Sequence, residues 1–214
     1  MECCRGRYAE AERQFGPAIA SRDLDRYHRK GPDATSRLLL ETLGDQLRRG
    51  DSLLDIGSGV GVLDFELLAS GVQTATLVDA SPAYLDAAAR EAAARDLADR
   101  LQFVVGDFTA NPHVSSADVV TMHRVVCCYP DYTSLLQAAT GHTRRAFAFS
   151  YPRDRWYIRF WLGCENTRRR LFGNPFRTFV HSPAGMETLV MKAGFRRVSR
   201  AKTFVWSIDV YVRA

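Results

Sequence analysis

The chain has 214 residues, 46% of them hydrophobic and 25% charged, and its formal net charge is +5. This composition is that of an ordinary globular protein, and the length suits one domain with a substantial core. No apolar run approaches the roughly 18 residues of a membrane-spanning helix, and residues 1–17 lack the apolar segment of a secretory signal. We therefore expect a cytoplasmic protein.

The hydrophobic pattern predicts helices first and then an alternation of strands and helices. Residues 8–29 have the pattern of one or two short helices, and residues 34–49 that of a longer one. The residues expected on its inner face are Leu38, Leu39, Thr42 and Leu43. Strands are predicted at 52–56, 75–78, 101–105, 119–122 and 145–149, with helices at 62–69, 82–95 and 132–140. Such alternation implies parallel strands and right-handed crossovers.

The C-terminal part departs from this alternation. A helix is predicted at 183–193, ended by Gly194, and two strands at 197–203 and 205–213 then form an antiparallel hairpin. The expected fold is therefore α/β: a seven-stranded, mostly parallel sheet with helices on both faces and a C-terminal antiparallel β-hairpin.

Three glycines separate the first predicted strand from its helix, in the sequence LLDIGSGVG that begins at Leu53. Glycines there let the backbone approach a ligand closely and direct helix N–H groups at an anion. Ligands of such folds lie at the carboxyl ends of the strands. The candidate ligand-binding residues of this turn are Asp55, Gly57, Ser58, Gly59 and Gly61.

Two further strands also end in acidic residues. Asp79, followed by Ala80 in the sequence VDAS, stands 20 residues after Gly59, where an acidic residue can accept hydrogen bonds from ribose hydroxyls. In VVGDF, Asp107 can accept from an adenine amino group and Phe108 can stack on the ring. Each acidic residue alone also fits a helix cap or a turn, but three such strand ends together favour a nucleoside site.

The motifs LLDIGSGVG, VDAS and GDF resemble those of class I S-adenosylmethionine-dependent methyltransferases, which have a Rossmann-like fold. The resemblance covers residues 53–148 and implies S-adenosylmethionine as the cofactor and S-adenosylhomocysteine as its product. It implies that Gly57 and Gly59 face the methionine part, Asp79 the ribose, and Asp107 with Phe108 the adenine. It further implies one methyltransferase domain over residues 1–214. The expected parts are a helical cap at 1–50, a cofactor-binding core at 51–150, a lid at 151–182, and a final helix and hairpin at 183–214.

In this family the fourth strand points at the methyl group that is transferred, and here its end reads MHRVVCCYPD. His123 and Arg124 are therefore the candidate catalytic residues: a general base, and a bidentate partner for an acceptor carboxylate. Alternatively, the backbone of His123 contacts the cofactor amine while its ring packs, and Arg124 forms a structural ion pair. A carboxylate acceptor needs no base, because it is already a nucleophile at neutral pH.

The five cysteines have neither the spacing of a disulfide framework nor that of a zinc site, so free thiols and no metal are predicted. They are Cys3, Cys4, Cys127, Cys128 and Cys164. If the two vicinal pairs converged, a metal or redox site would become the alternative.

Residues 151–182 combine an aromatic helical pattern with arginines. The residues at helical spacing are Trp156, Tyr157, Phe160, Trp161 and Cys164, followed by arginines at 168–170. A lid over a flat acidic acceptor, peripheral membrane contact through 155–172, and a helix packed on the sheet are the alternatives. The segment also resembles magnesium-protoporphyrin IX O-methyltransferases at Pro152, Arg153, Arg177 and His181, which implies a tetrapyrrole propionate as the acceptor. In small-molecule members the N-terminal helices complete the cover, here with Tyr27, His28 and Arg29.

Three functions follow in order. The first is methyl transfer to a small or medium organic acceptor, an apolar molecule with a carboxylate or hydroxyl, by a monomer or homodimer. The second is a nucleic-acid methyltransferase, favoured by 15 lysines and arginines against 4 acidic residues in 144–214. A nucleic-acid partner is disfavoured because the fourth strand lacks the Asn/Asp-Pro-Pro-aromatic signature of amino-methylating enzymes. The third is a non-catalytic protein that binds S-adenosylmethionine.

Overall fold

Short apolar segments that alternate with amphipathic ones form a three-layer α/β structure. The computed structural model describes residues 14–111 and 113–214. The helices are α1 (Pro17–Lys30), α2 (Ala34–Gly44), α3 (Val62–Ala69), α4 (Pro82–Ala94), α5 (Tyr132–Gly141), α6 (Trp156–Leu171) and α7 (Pro183–Lys192). The strands are β1 (Ser52–Ile56), β2 (Thr74–Asp79), β3 (Leu101–Val105), β4 (Ala117–Met122), β5 (Thr143–Pro152), β6 (Phe195–Lys202) and β7 (Trp206–Arg213).

The strands form one sheet in the order β3-β2-β1-β4-β5-β7-β6. The five strands from β3 to β5 are parallel, and β7 lies antiparallel between β5 and β6. In the centre, Leu54 of β1 pairs with Thr76 of β2 on one side and with Val120 of β4 on the other. The predicted seven-stranded, mostly parallel sheet with a C-terminal antiparallel hairpin is confirmed.

Alternate residues of each central strand pack into two separate cores. Leu53 and Val119 face one core, which includes residues of α2, α3 and α4. Leu54 and Val120 face the other core, which includes residues of α5 and α7. Because both faces of the sheet are covered, the central strands read as continuous apolar runs. Polar groups of these strands therefore reach the surface at the strand ends, where the candidate site lies.

Several predicted boundaries differ from the observed ones, and the largest differences concern one helix and one strand. The helix predicted at 34–49 ends at Gly44, and Asp45 follows as its C-cap. Glycine and aspartate are poor helix formers, and residues 46–47 instead make turn hydrogen bonds back to Leu43 and Gly44. The strand predicted at 145–149 extends over Thr143–Pro152, because its antiparallel pairing with β7 continues to Pro152.

Part of the N-terminal prediction lies outside the described residues. This applies to the helical pattern at 8–13 and to Cys3 and Cys4. Within the described ranges, no helix is both long and apolar enough to cross a bilayer.

Candidate active site

The candidate site lies where the crossovers from β1 and β4 diverge to opposite sides of the sheet. The strand order places β2 on one side of β1 and β4 on the other, so a crevice opens at their carboxyl ends. A cavity of about 580 Å³ occupies this crevice, within the usual range of small-molecule sites. The predicted residues that line it are Asp55, Gly57, Ser58, Gly59, Asp79, Ala80, Asp107, Phe108, His123 and Arg124.

The three glycines of the turn have different surroundings, although all three have positive φ. A Cβ at Gly57, where φ is 71°, would lie 2.2 Å from Val125 Cγ2, so a side chain cannot fit there. A Cβ at Gly59 meets no atom within 4 Å, because this residue borders the open cavity. Gly61 faces Phe65 and Leu77 instead and is absent from the cavity lining. Gly61 was predicted to bind the cofactor, but its surroundings are those of a packing position.

Asp79 connects the end of β2 to the glycine turn. Its carboxylate accepts the Gly59 N–H at 2.9 Å and the Ser81 N–H at 2.8 Å. Burial raises the pKa of Asp79, whereas these N–H donors lower it. Because the carboxylate lines the cavity, it can accept further hydrogen bonds from a ligand there.

Asp107 lies at the opposite end of the crevice with two hydroxyl partners. It accepts from the Thr109 N–H and hydroxyl at 2.9 Å each, and from the Tyr129 hydroxyl at 3.0 and 3.1 Å. Phe108 is buried, with its ring edge-on to His142 at 5.1 Å. Tyr129 also lines the cavity, and sequence reasoning did not assign it to this group.

Asp55 and Asp64 form a buried carboxyl pair behind the glycine turn. Asp55 accepts from the Thr121 hydroxyl at 2.6 Å, whereas neither oxygen of Asp64 has a donor among the described residues. Burial raises the pKa of Asp55 to about 7 and raises that of Asp64 as well, and the neighbouring charge raises Asp64 further. Two carboxylates cannot donate to each other, so a hydrogen bond forms between them only when one carries a proton.

We expect this pair to make stability depend on pH. A carboxyl pKa raised by folding means that the folded chain binds more protons than the unfolded one from pH 3.8 to about 7, so the pair's contribution is lost as pH rises through that window. Asp64→Asn supplies an amide donor to Asp55 and removes one charge. The free energy of unfolding of Asp64→Asn minus that of wild type should therefore increase by at least about 1 kcal/mol from pH 5 to pH 8. Urea unfolding at both pH values measures this, with the exposed Asp86→Asn as the control. If the free energy of unfolding depends on pH equally in wild type and Asp64→Asn, then Asp55 and Asp64 do not share a proton.

His123 follows β4 directly and is held between two serine hydroxyls. Ser150 Oγ lies 3.0 Å from Nδ1, and Ser36 Oγ lies 3.3 Å from Nε2. Ser150 Oγ also accepts the Arg124 N–H at 2.9 Å, so this hydroxyl bridges the Arg124 backbone and the His123 ring. Burial and the Arg124 charge hold the pKa of His123 well below 6.5. Both ring nitrogens therefore have a serine hydroxyl as partner, and the general-base role that the sequence suggested stays a prediction.

Arg124 forms an ion pair inside the protein. Its guanidinium meets the Asp33 carboxylate at 2.9 and 3.1 Å and lies over the Trp206 ring, 5.1 Å from the centroid. The Asp33 carboxylate also caps α2, accepting from the Thr35 and Ser36 N–H groups. Of the two roles predicted for Arg124, the geometry matches the structural ion pair, which joins the N-terminal helices to the end of β4.

The outer wall of the cavity comes from two segments far apart in sequence. Phe15 packs edge-on to Phe176 at 5.3 Å and stacks with Tyr84 at 5.6 Å. Three arginines line the same wall: Arg22 and Arg26 of α1, and Arg177. Arg177 donates to the backbone carbonyls of Asn174 and Phe176 at 2.6 and 2.9 Å. Asp23 also lines the cavity, and its carboxylate lies 3.6 Å from the Arg22 guanidinium and 4.0 Å from that of Arg26. The wall is therefore aromatic, with more cationic than anionic groups.

The N-terminal residues singled out from the sequence lie elsewhere. Tyr27 is buried, with its hydroxyl on Glu66 at 2.8 Å, and His28 pairs with Glu91 at 2.8 Å. Arg29 also does not line the cavity; the helical period turns Arg22 and Arg26 towards it instead. Two of the positions that resemble magnesium-protoporphyrin IX O-methyltransferases differ in their surroundings. Arg177 lines the cavity, whereas His181 Nε2 lies within 3.0 Å of the carbonyl oxygens of Val126 and Tyr129.

The cysteines of the described residues are free thiols. Cys127 is buried, Cys128 lines the cavity, and their sulfurs are 3.7 Å apart. The thiols of Cys127 and Cys128 both point at the Arg124 carbonyl oxygen. The hydrogen-bonding contact with the Cys128 thiol, together with burial, raises the pKa of Cys127. Whether Cys3 and Cys4 approach this pair stays untested, because they lie outside the described residues.

The cavity matches the needs of a nucleoside cofactor in two respects. Ser58 lines it, and the buried Ser58 Oγ has no hydrogen-bond partner among the described residues, so hydrogen-bonding capacity is left unused beside the cavity. The position of a Cβ at Gly59 is open, so a ligand can approach this backbone closely. Together with the Asp79 carboxylate, these features fit a ligand with hydroxyl and charged groups along the glycine turn.

Comparisons with known proteins agree with this geometry. Residues 53–145 match a family model described as a methyltransferase domain. No curated protein matches the chain in sequence. The magnesium protoporphyrin IX methyltransferase of Synechocystis PCC 6803, solved with bound S-adenosylhomocysteine, superimposes with a TM-score of 0.72 at 18% identity, covering 97% of this chain and 100% of that one.

Two further solved structures share the fold. An O-methyltransferase family protein from Burkholderia thailandensis gives a TM-score of 0.71 at 16% identity, over 92% of this chain and 60% of that one. An O-methyltransferase family 2 protein from Planctomyces limnophilus in complex with apigenin gives 0.62 at 17% identity, over 86% and 63%. At these identities the likeness concerns the fold, and the acceptor has to be argued from this chain's own site.

Proposed function

We propose, on the premise that this chain is a class I S-adenosylmethionine-dependent methyltransferase, that it methylates a carboxylate on a flat, apolar small molecule. The observation that carries this choice is the outer wall, where aromatic rings lie beside Arg22, Arg26 and Arg177. Aromatic rings favour a planar apolar body, and guanidinium groups favour carboxylates because they can donate two parallel hydrogen bonds.

In this proposal the cofactor binds along the glycine turn. S-adenosylmethionine, when bound, would supply the methyl group on its sulfonium sulfur: an O–C bond to the acceptor would form as the methyl–sulfur bond breaks, and S-adenosylhomocysteine would leave. In this proposal Asp79 accepts hydrogen bonds from the ribose, and the Gly57–Gly59 backbone with Ser58 faces the methionine part. Asp107, with Tyr129 and Phe108, borders the adenine. These assignments are the ones that the resemblance to the family implies, and the polar groups that line the cavity are compatible with them.

His123 and Arg124 are positioning residues in this proposal. Ser36 and Asp33 belong to the start of α2. Their contacts with His123 and Arg124 hold this helix over the end of β4. Methyl transfer is a direct displacement, so the protein mainly supplies alignment and excludes water. An ionised carboxylate is nucleophilic without proton transfer, which is consistent with a neutral, doubly held His123 ring.

A matched acceptor series tests the proposal. Wild-type protein with S-adenosylmethionine is given magnesium protoporphyrin IX, its dimethyl ester, or apigenin, and methylated products are identified by mass spectrometry. The expected result is one methyl ester on the free porphyrin and none on the dimethyl ester, whose carboxyl groups are blocked. The initial rate should show no dependence on His123 deprotonation from about pH 5.5 to pH 8, because neither an acceptor carboxylate nor His123 titrates there, whereas the buried Asp55–Asp64 pair does.

Other results would redirect the assignment. Methylation of apigenin but of no carboxylate would make a hydroxyl the acceptor, and a rate that follows a group with a pKa near 6.5 would restore a base. Methylation of added RNA would favour the nucleic-acid alternative. Binding of S-adenosylhomocysteine without transfer to a broad set of acceptors would favour a non-catalytic protein.

A further inference from the structure

The outward face of α6 exposes large apolar side chains in an unusual concentration. Trp156 is 79% exposed, Phe160 69% and Trp161 60%. Leu171, Phe172 and Phe204 are exposed to a similar degree, so six of the eight exposed large hydrophobic residues of the described chain lie on α6 or beside it. A concentration of exposed apolar side chains on one helix and the turn beside it is typical of an interaction site.

This face is held rigidly on the protein. Ile158 and Leu162 on the inner side of α6 are buried. Asn166 exchanges hydrogen bonds of 2.8 and 3.0 Å with the Thr178 backbone, and Arg169 donates to the Thr178 hydroxyl at 2.9 Å. The helix is therefore anchored through one side, and its aromatic side remains in solvent.

The β6–β7 turn extends the aromatic face. Tyr157 stacks on Phe204 with ring centroids 5.3 Å apart, and Trp156 lies edge-on to Tyr157 at 5.9 Å. Phe204 belongs to the turn between the last two strands, so two separate segments present aromatic rings together. We call this surface, formed by α6 with Phe172 and Phe204, the aromatic face.

The positive charge around the aromatic face indicates which kind of partner binds there. Residues 151–182 contain seven arginines against two acidic residues, a formal charge of +5. Arg159 and Arg168 pair with Asp154 and Glu165, whereas Arg155 and Arg170 have no ion-pair partner among the described residues. A second copy of the chain would bring the same positive charge to an isologous contact, which is repulsive. An anionic lipid surface attracts it, and tryptophan, tyrosine and arginine are the residue types that settle at membrane interfaces.

We propose that the aromatic face docks the protein on an anionic membrane surface. Trp156, Phe160, Trp161 and Phe204 insert at the headgroup level, and Arg155 and Arg170 contact lipid phosphates. Pro175, Phe176 and Arg177, which follow α6 within a few residues, line the cavity, so docking places the cavity wall near the bilayer. This proposal is independent of which acceptor is methylated.

Vesicle flotation tests the docking. Wild type is compared with Trp156→Ala/Phe160→Ala and with Arg155→Gln/Arg170→Gln. The vesicles are phosphatidylcholine alone or with about 30 mol% phosphatidylglycerol. Wild type should float with the anionic vesicles, and each double variant should lose roughly 30-fold in partitioning. Met191→Ala removes an exposed apolar side chain on α7 and is expected to float like wild type.

The contrary outcomes are distinct. Absence of wild-type flotation, or full binding by Trp156→Ala/Phe160→Ala, overturns the proposal. A wild-type dimer in sedimentation that this variant abolishes, without vesicle binding, would assign the face to a second copy and overturn it as well. Binding of S-adenosylhomocysteine in the absence of vesicles should be equal in all variants, so failure of docking is separable from failure of the proposed function.

Discussion

Gly57→Ala is expected to destabilise the protein by about 3 kcal/mol and to lower its Tm by roughly 9 °C. The new Cβ would lie 2.2 Å from Val125 Cγ2, and the β-branched Val125 side chain has few rotamers into which it can retreat. The backbone also has φ of 71° at this position, which costs a residue with a Cβ about 1–2 kcal/mol. Thermal and urea unfolding measure the loss.

Gly59→Ala is the matched control within the same turn. Its φ of 60° carries the same strain, but its Cβ meets no atom within 4 Å, so it should destabilise by only about 1 kcal/mol. The methyl group instead projects into the open cavity, so binding of S-adenosylhomocysteine should weaken markedly while the protein remains folded. Wild-type stability of Gly57→Ala would contradict the packing argument. Wild-type affinity of Gly59→Ala would mean that the cofactor does not approach this turn.

The sheet and the crevice could be predicted because they depend on local patterns. Apolar segments bounded by glycine and aspartate predicted the strands, and Asp55, Asp79 and Asp107 marked the strand ends that meet in the crevice. Parallel topology then brings those ends together without further information. Helix bounds were less predictable, as the early end of α2 at Gly44 shows.

The cover of the cavity could not be predicted, because it depends on long-range contacts. The pairs Arg124–Asp33 and His123–Ser36 join residues about 90 positions apart, and no periodicity in the sequence predicts such contacts. The arginines of α1 that face the cavity were missed although Ala20, Leu24 and Tyr27 form an apolar stripe on this helix. Such a stripe predicts which side packs on the core, but it does not predict that the neighbouring polar side borders a cavity. Asp64 did have a signal, since an acidic residue within the apolar sequence VLDFELLA predicts an unusual buried carboxyl.

The candidate cofactor site depends most on Asp79, and Asp79→Asn should weaken the binding of S-adenosylhomocysteine by roughly 100-fold. The carboxylate uses one oxygen for the Gly59 N–H and the other for the Ser81 N–H. An asparagine of the same shape turns one acceptor into an NH₂ donor, which then faces an N–H group. Hydrogen bonds to a charged acceptor are worth about 1.5–3 kcal/mol each, so losing those to a ribose accounts for the expected change.

Isothermal titration of S-adenosylhomocysteine into wild type, Asp79→Asn and Asp86→Asn measures this effect. Asp86 lies exposed on α4, so its substitution removes the same charge seven residues away and should leave the affinity unchanged. Thermal unfolding shows whether Asp79→Asn is folded, and a folded variant should also lose the rise in Tm that the ligand gives wild type. If folded Asp79→Asn binds like wild type, the ribose does not lie at the end of β2. If Gly59→Ala is nevertheless impaired, the glycine turn holds the ligand by its backbone, and Asp79 serves mainly to fix the shape of that turn.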